Sequence, residues 1–426
     1  MNDNELAVGG DVEISTLVLY DYKDNSYDIS NMFSEIELYE DMFSHSLSGS
    51  ITMVDTNNLI ENLPIIGEEK IELVFKTPGF PESARVTQVF SVYKLGTILT
   101  PTPHKQIYTL YFTTPESIID LNSRITKAFT GTPNNIISRI LGSNGLQSIK
   151  ETEFDSSTNN LKFVAPSWNP FRCINYLTSR AQSSDGFKAS DFVFYETNKK
   201  YVFTSLNSIY ENGKEPKIKY FYNNDPARNG VLKESYRDVE AELMKIYDLH
   251  ILEKFNVLNR YENGFYSHFV WDHNILLKTI TKRGYYYKED FDKTAHLSES
   301  KVSSDNILTS KNTALSVLTT YPQVHNDMSE DNYGKVLTKK LPLLEQLNTV
   351  KLEITVNGRS DLEVGTVINV NIGGLGLIVP DEKNEGASDS RYNGNYLVTS
   401  IMHRLTLKKH AMVLNIARES VETEYA

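Results

Sequence analysis

Val350-Lys351-Leu352-Glu353-Ile354-Thr355-Val356-Asn357-Gly358 places an apolar side chain at every second position and closes on a turn dipeptide. A period of two puts Val350, Leu352, Ile354 and Val356 on one face of an extended strand and Lys351, Glu353 and Thr355 on the other. Asn-Gly is the pair a tight hairpin turn asks for. Downstream, Thr366 to Ile372, Tyr396 to His403 and Met412 to Ile416 continue as strands. The same period opens the chain: Leu17 to Tyr20, Ser34 to Leu38, Gly49 to Asp55, Lys70 to Phe75, Thr87 to Leu95 and Gln106 to Thr113. Short strands at this spacing, broken by Pro, Gly and Asn, predict a barrel or sandwich. Glu35 and Glu37 fall on one side of their strand, so that face is expected to be wet.

Between the two strand sets the pattern changes. Thr114-Pro115-Glu116, Thr132-Pro133 and Asn169-Pro170 are helix starts, each with a capping residue before a proline at the first helical position. Ile118, Leu121, Ile125 and Phe129 form the expected stripe of the first. Ile136, Ile137, Ile140 and Leu141 serve the second, which Gly142 stops, and Phe171, Ile174, Leu177 and Ala181 serve the third. Strands at Asp191 to Thr197 and Lys200 to Leu206 follow, turning at Asn198. Residues 114–237 therefore read as an α/β insert.

Leu252 to Asn259 and Phe265 to Trp271 read as strands around a turn at Asn263-Gly264. The polar stretch 288–340 reads as a second insert holding one helix after Asp305, with Ile307, Leu308, Leu315 and Leu318 inside. The loop Gly373 to Asn395 is expected to be exposed. The reading is α+β, mainly β: a first barrel at 1–113, an α/β insert at 114–237, a second barrel at 238–287 with 341–418, and a tail at 419–426.

Composition narrows the function. Lys and Arg number 43 against 55 Asp and Glu, a net charge of −12. Binding that depends on neutralising phosphates needs the opposite sign. Tyr (25) and Phe (19) far exceed Trp (2), a surplus that suits strands, cores and interfaces. The single Cys173 excludes a disulfide scaffold, and no apolar run reaches the roughly 18 residues of a membrane span. The acidic, polar start Met1-Asn2-Asp3-Asn4-Glu5 does not read as a signal peptide. A soluble protein of a reducing compartment or of the medium is expected.

No local chemistry stands out. GxxxxGK[ST], HExxH and GxSxG are absent from the sequence. Gly373-Gly374-Leu375-Gly376 lacks phosphate-loop spacing and reads as a plain loop. His268 and His273, five apart, fall on opposite faces of a straight strand and read as polar surface residues rather than metal ligands. His403 and His410 bracket a hairpin, Arg404 to Lys409, and are expected to face each other at its base. Cys173 reads as a packed thiol. Glu40-Asp41 and Glu68-Glu69 each split across strand faces, so neither pair reads as an acid and base. No catalytic, cofactor or metal residue is nominated; the chain reads as a multi-domain β protein with a binding or structural role.

Four segments together resemble the baseplate central hub protein of contractile-tailed bacteriophages of the T4 type, related to the hub part of type VI secretion spike proteins. They are Ile36 to Phe43 with Leu47 to Asp55 and Leu63 to Ile71; Trp168-Asn169-Pro170-Phe171; Asp361 to Ile368; and Gly394 to His403 with Met412 to Arg418. Each is loose alone; their order and spacing carry the likeness. Residues 288–340 fit no family pattern.

The resemblance implies two tail-tube-like antiparallel barrels per chain and a homotrimer that presents six barrels as a ring. Such a hub joins a hexameric tail tube, or tube-initiator protein, to a trimeric central spike, amid surrounding baseplate proteins. DNA crosses its lumen only in transit, no membrane is bound, and no cofactor or enzyme activity is implied. The location implied is the virion tail baseplate, assembled in the host cytoplasm. Asp and Glu are expected to outnumber Lys and Arg on the lumen wall; the competing expectation is a neutral wall with the excess acid outside, at Asp381 to Asp389. The alternatives are another tail-tip tube-initiator, with one barrel per chain, and a β-rich carbohydrate-binding or hydrolytic tail protein.

Overall fold

The computed structural model describes residues 8–63, 65–102, 105–143, 145–184, 187–222, 239–253, 256–275, 278–302, 314–320, 332–372 and 392–421. The first strand set is β1 (Glu13–Tyr20), β2 (Ser26–Asp28), β3 (Phe33–Asp41), β4 (Ser48–Asp55), β5 (Lys70–Lys76), β6 (Val86–Leu95), β7 (Leu99–Thr102) and β8 (Lys105–Thr113). They pair in the order β3-β4-β8-β6-β5-β1, with β2 added to β1 and β7 to β8. Alternation drives the packing: Ile36, Leu38, Ile51, Met53, Phe90, Leu110 and Phe112 point inward and are buried together. Each such side chain contributes about 1.5–3 kcal/mol on leaving water.

The insert follows with β9 (Ala128–Gly131), β10 (Glu151–Phe154), β11 (Leu161–Val164), β12 (Phe192–Glu196) and β13 (Lys200–Ser205). β10, β13 and β12 form one sheet and β9 pairs with β11. Helices Pro115–Asn122, Pro133–Leu141 and Pro170–Thr178 each begin with proline at the first position, as expected. Two details differ. The residues before these prolines make no side-chain cap; Thr114 donates its hydroxyl to Glu196 instead. The first helix buries Glu116 and Asp120 rather than an apolar stripe, and Leu121 is exposed. Those carboxylates are held by hydrogen bonds: Glu116 accepts from Ser148 Oγ at 2.6 Å, and Asp120 accepts from the Phe171 N–H at 2.6 Å, at the start of the third helix.

The remaining strands are β14 (Lys219–Tyr222), β15 (Ile246–Glu253), β16 (Ser267–Asn274), β17 (Thr279–Tyr286), β18 (Ala314–Thr320), β19 (Val350–Asn357), β20 (Val367–Ile372), β21 (Gly394–Leu405) and β22 (His410–Arg418). The expected strand Leu252 to Asn259 is corrected: β15 ends at Glu253 and a helix, Val257–Glu262, follows. Asn263 ends that helix and Gly264 (φ +84°) turns the chain into β16, so Asn263-Gly264 is not a hairpin. The helix expected after Asp305 is corrected too. Leu315 and Leu318 lie on β18, parallel to β16; Ile307 and Leu308 lie outside the described residues. Among the described residues a helix, Asn332–Gln346, closes this region and packs on β16 and β17.

The chain is thus mainly β, with two antiparallel barrel-like modules around an α/β insert. The second module pairs in the order β15-β19-β22-β21-β20-β14. Ranked along the chain, its six strands occupy the same places as β1, β3, β4, β5, β6 and β8 in the first. Irregularities recur with them. β3 shifts register on β4 between Phe33 and Glu35, and β15 shifts on β19 between Ile246 and Asp248. β6 shifts on β8 between Val92 and Lys94, and β21 shifts on β22 between Val398 and Ser400. The Val92 N–H reaches Glu69 O, and the Val398 N–H reaches Thr366 O, both at 2.9 Å. One pairing departs: β1 is antiparallel to β5, whereas β14 is parallel to β20. The modules are joined edge to edge, Ser400 to Leu405 of β21 pairing with Asp41 to Ile36 of β3, so that one fourteen-stranded sheet runs through both.

Candidate assembly surfaces

The join between modules is polar on both faces of the sheet. On the wet face Arg404 of β21 reaches Glu35 at 2.7 Å and Glu37 at 3.2 Å, both on β3. These groups are partly exposed and screened, so each pair adds well under about 1 kcal/mol and acts mainly on register. On the inner face Glu40 follows Ile36 and Leu38 in phase and is fully buried. His403 Nε2 lies 2.8 Å from Glu40 Oε1 and its Nδ1 lies 3.0 Å from His410 Nε2. Asn198, at the tip of the insert's β12–β13 hairpin, donates to Glu40, and Gln88 of β6 donates to Asn198 O. Both modules and the insert therefore meet on one buried carboxylate. Burial, and then the neighbouring His403, hold the His410 pKa well below its ordinary 6.5.

A second buried carboxylate ties the insert to the first module. Glu196 of β12 accepts from the Leu47 N–H and the Thr114 hydroxyl, each at 2.9 Å, and pairs with Lys150. Burial raises its pKa, with Lys150 pulling the other way.

The expected face-to-face contact of His403 and His410 is present; its link to Glu40 was missed. The signal was in the sequence: Glu40 stands where an apolar residue would continue the Ile36, Leu38 phase. Glu40 and Asp41 do split across faces, Asp41 being exposed, and Glu69 is buried while Glu68 is exposed. His268 and His273 lie on opposite faces of β16. His268 is not the surface residue expected: it is buried against Thr338 O (3.2 Å) and Ser316 Oγ (2.9 Å), while His273 is exposed. Cys173 is buried in the insert core, and burial pushes its thiol up to about 12. Gly373-Gly374-Leu375-Gly376 and Asp381 to Asp389 lie outside the described residues.

Among the described residues no group of three or more His, Cys, Asp or Glu is arranged to hold a metal ion. No helix there is long and apolar enough to cross a membrane. A cleft of about 570 Å³ lies between the insert and the approach to β20. Two ion pairs lie within it: Lys200 with Glu153, and Arg359 with Asp361 through two hydrogen bonds. Exposed apolar side chains include Tyr247, Ile251 and Leu252 of β15 and Ile98 and Leu99 beyond β6. β15 is the terminal strand on its side of the large sheet.

No family model and no curated protein matches the chain. Solved structures do. The fold is similar to a tail protein from Neisseria meningitidis, 10% identical, with a TM-score of 0.55 over 95% of this chain and 97% of that one. It is also similar to the 43 kDa tail protein of prophage MuSo2 from Shewanella oneidensis, 11% identical, with a TM-score of 0.52 over 96% and 98%. A prophage tail protein from Listeria monocytogenes aligns at 12% identity and a TM-score of 0.49, over 94% of each chain. At such identities the likeness is one of fold: this is the fold of phage tail proteins.

Proposed function

We propose that the chain is the structural hub of a phage tail baseplate, a homotrimer whose six barrel modules form a ring. One side of the ring stacks on a hexameric tail tube or its initiator, the threefold side holds a trimeric central spike, and other baseplate proteins surround it. The observation that carries this reading is the repeated six-strand order, joined edge to edge within one chain. Two related units per chain are what turn threefold symmetry into near-sixfold symmetry. A tube-initiator with one barrel per chain does not account for them.

The domain assignment keeps barrels at 1–113 and at 238–287 with 341–418, the insert at 114–237, the polar insert at 288–340 and a tail at 419–426, with two changes at the edges: β14, inside 114–237, belongs to the second module, and β16 and β17 form a separate sheet with β18. The role is structural rather than enzymatic, in the virion tail, after assembly in the host cytoplasm. DNA meets the ring only in transit. The wet face of the shared sheet, assigned here to the lumen, carries Glu35, Glu37, Asp41, Asp248 and Glu353 against Lys94, Lys105, Lys351 and Arg404. Carboxylates and cations interleave there, which gives DNA no basic track to bind. Mass in solution and symmetry analysis of particle images test the reading. A trimer with a near-sixfold ring is expected; a monomer at all concentrations, or a ring of any other copy number, overturns it.

A further inference from the structure

Lys150 and Glu196 come from opposite sides of one strand. β13 is the middle strand of the insert's sheet, with β10 and β12 as its neighbours. Glu151, the first residue of β10, is set opposite Lys200, and Glu196, the last of β12, is set opposite Tyr201. The Lys150 side chain reaches across β13 near Tyr201, its Nζ 5.9 Å from the centre of that ring, and contacts Glu196 Oε1. Glu116, in the first turn of the helix Pro115–Asn122, completes the group, its Oε2 3.7 Å from the same Nζ.

Water is nearly excluded from the cluster. Side-chain exposure is 0% for Glu196, 8% for Glu116 and 14% for Lys150. Two carboxylates share one ammonium there, and each buried ion is penalised for its lost hydration. The two oxygens of Glu196 are unlike: Oε2 accepts from the Leu47 N–H and the Thr114 hydroxyl, each at 2.9 Å, while Oε1 faces Lys150. On Glu116, Oε1 accepts from Ser148 Oγ at 2.6 Å, whereas Oε2 is buried, accepts no hydrogen bond from the described residues and is turned to Lys150. Two donors on one oxygen of a carboxyl, an amine at the other and a spare carboxylate beside the amine are the parts of an acyl transfer held at close range. Burial also holds the Glu196 pKa above its ordinary value, against the pull of Lys150, and so favours the neutral acid that condensation needs.

We propose that Lys150 and Glu196 condense to an isopeptide bond, with Glu116 as the proton relay. Nζ gives one proton to Glu196 Oε1, which leaves a neutral amine beside a neutral acid. The amine lone pair attacks Cδ, and the displaced π pair moves to Oε2, where the Leu47 N–H and the Thr114 hydroxyl hold the charge. Glu116 Oε2 takes a second proton from Nζ and passes it to Oε1. The Cδ–Oε1 bond breaks, Oε1 leaves as water, and the carbonyl re-forms at Oε2. One N–H remains on the amide, Glu116 returns to its starting state, and no oxidant or cofactor is consumed. The product is uncharged, so the hydration penalty of the ion pair disappears with it. Each chain performs the step once, on itself, and its role stays structural. The bond clamps β10 to β12 across β13, at the place where Glu196 Oε2 ties the insert to the first module.

Intact-mass spectrometry of the full chain tests this. After incubation at neutral pH and denaturation, the protein is expected to be lighter than its sequence by one water. Trypsin is expected to leave the bond after Lys150 uncut, because an acylated lysine is not its substrate, and the peptides bearing Lys150 and Glu196 are expected to run as one branched species. Lys150→Arg keeps the cation without the primary amine and is expected at full sequence mass. Glu116→Gln keeps the shape without the relay and is expected to form the bond at least about a hundredfold more slowly. A wild-type chain at full sequence mass, cut after Lys150, overturns the proposal and leaves an ion pair only. A water loss that persists in Lys150→Arg, or that maps to other residues, overturns it as well. An unchanged rate in Glu116→Gln overturns the relay. None of these readouts depends on assembly, so the hub reading is tested separately.

Discussion

Thr77 and Ser360 exchange hydrogen bonds: the Thr77 N–H donates to Ser360 Oγ and the Ser360 N–H donates to Thr77 Oγ1, both at 3.0 Å. Both residues are buried, and 283 positions separate them. Thr77 follows β5 of the first module and Ser360 lies in the loop between β19 and β20 of the second. Each hydroxyl satisfies a backbone donor that neither module satisfies alone. The two modules are therefore locked at a second point, away from the β3–β21 seam.

Removing one hydroxyl, as in Ser360→Ala or Thr77→Val, leaves a buried N–H without a partner. A loss of about 1–3 kcal/mol is expected from each. The double variant is expected to lose less than the sum, because the two bonds form one unit. Urea unfolding of the four proteins measures this; strict additivity sinks the idea of a coupled lock.

Gly67 and Gly365 lie in the turns that lead into β5 and β20, with φ of +92° and +86°. A Cβ on Gly67 meets nothing within 4 Å, while one on Gly365 would fall 2.0 Å from Tyr195 Oη. Gly67→Ala is expected to cost about 1–2 kcal/mol of backbone strain. Gly365→Ala adds a displaced tyrosine at the insert and is expected to cost clearly more. Equal losses by thermal unfolding count against the contact.

Acid should loosen the buried histidines. His410 and His268 have folded pKa values below 6.5, so the unfolded chain binds more protons as pH falls through that value. Stability is then complete above about pH 6.5 and declines below it, by at most about 1.4 kcal/mol per pH unit for each group. His410→Asn is expected to flatten the decline between pH 7 and pH 5. A variant with the wild-type slope shows that His410 is not responsible.

Cys173 is expected to be silent in the native protein. Its thiol is buried and held toward the neutral form. Ellman's reagent should titrate no thiol until denaturant is added, and then one per chain. Prompt native labelling contradicts the packing described for the insert.

Where alternation was uninterrupted, as in β19 and β4, the strands were legible residue by residue. Proline marked the helix starts equally well, because its fixed φ and missing N–H suit the first turn whatever follows. The failures share a cause. Leu315 and Leu318, three apart, fit a helix stripe, but β-branched and hydroxyl neighbours in a strand parallel to β16 carry the segment instead. Ile118 and Leu121 fit a stripe as well, yet Glu116 and Asp120 take the buried face because hydrogen-bond partners await them there. The seam was half legible. Glu35 and Glu37 foretold a wet face, but only the partner strand, 360-odd positions later, reveals Arg404 and His403. No local pattern encodes a contact of that range.

The parallel seating of β14 on β20 has a consequence for how the chain is built. The first module's strands arrive from the ribosome as one uninterrupted set, and neighbours in sequence are mostly neighbours in space. The second module's strands arrive scattered from Lys219 to Arg418, with β14 waiting more than a hundred residues for β20. Non-local pairing of this kind is slow, because loop closure precedes any reward. β21 and β22 come last among the strands, and β21 is the piece that both completes its own module and zips onto β3. A nascent chain therefore holds a finished first barrel with an unpaired β3 edge until its final hairpin emerges. The seam is a timer as well as a joint: only a chain translated through β22 can hide that edge and present a two-module unit for assembly.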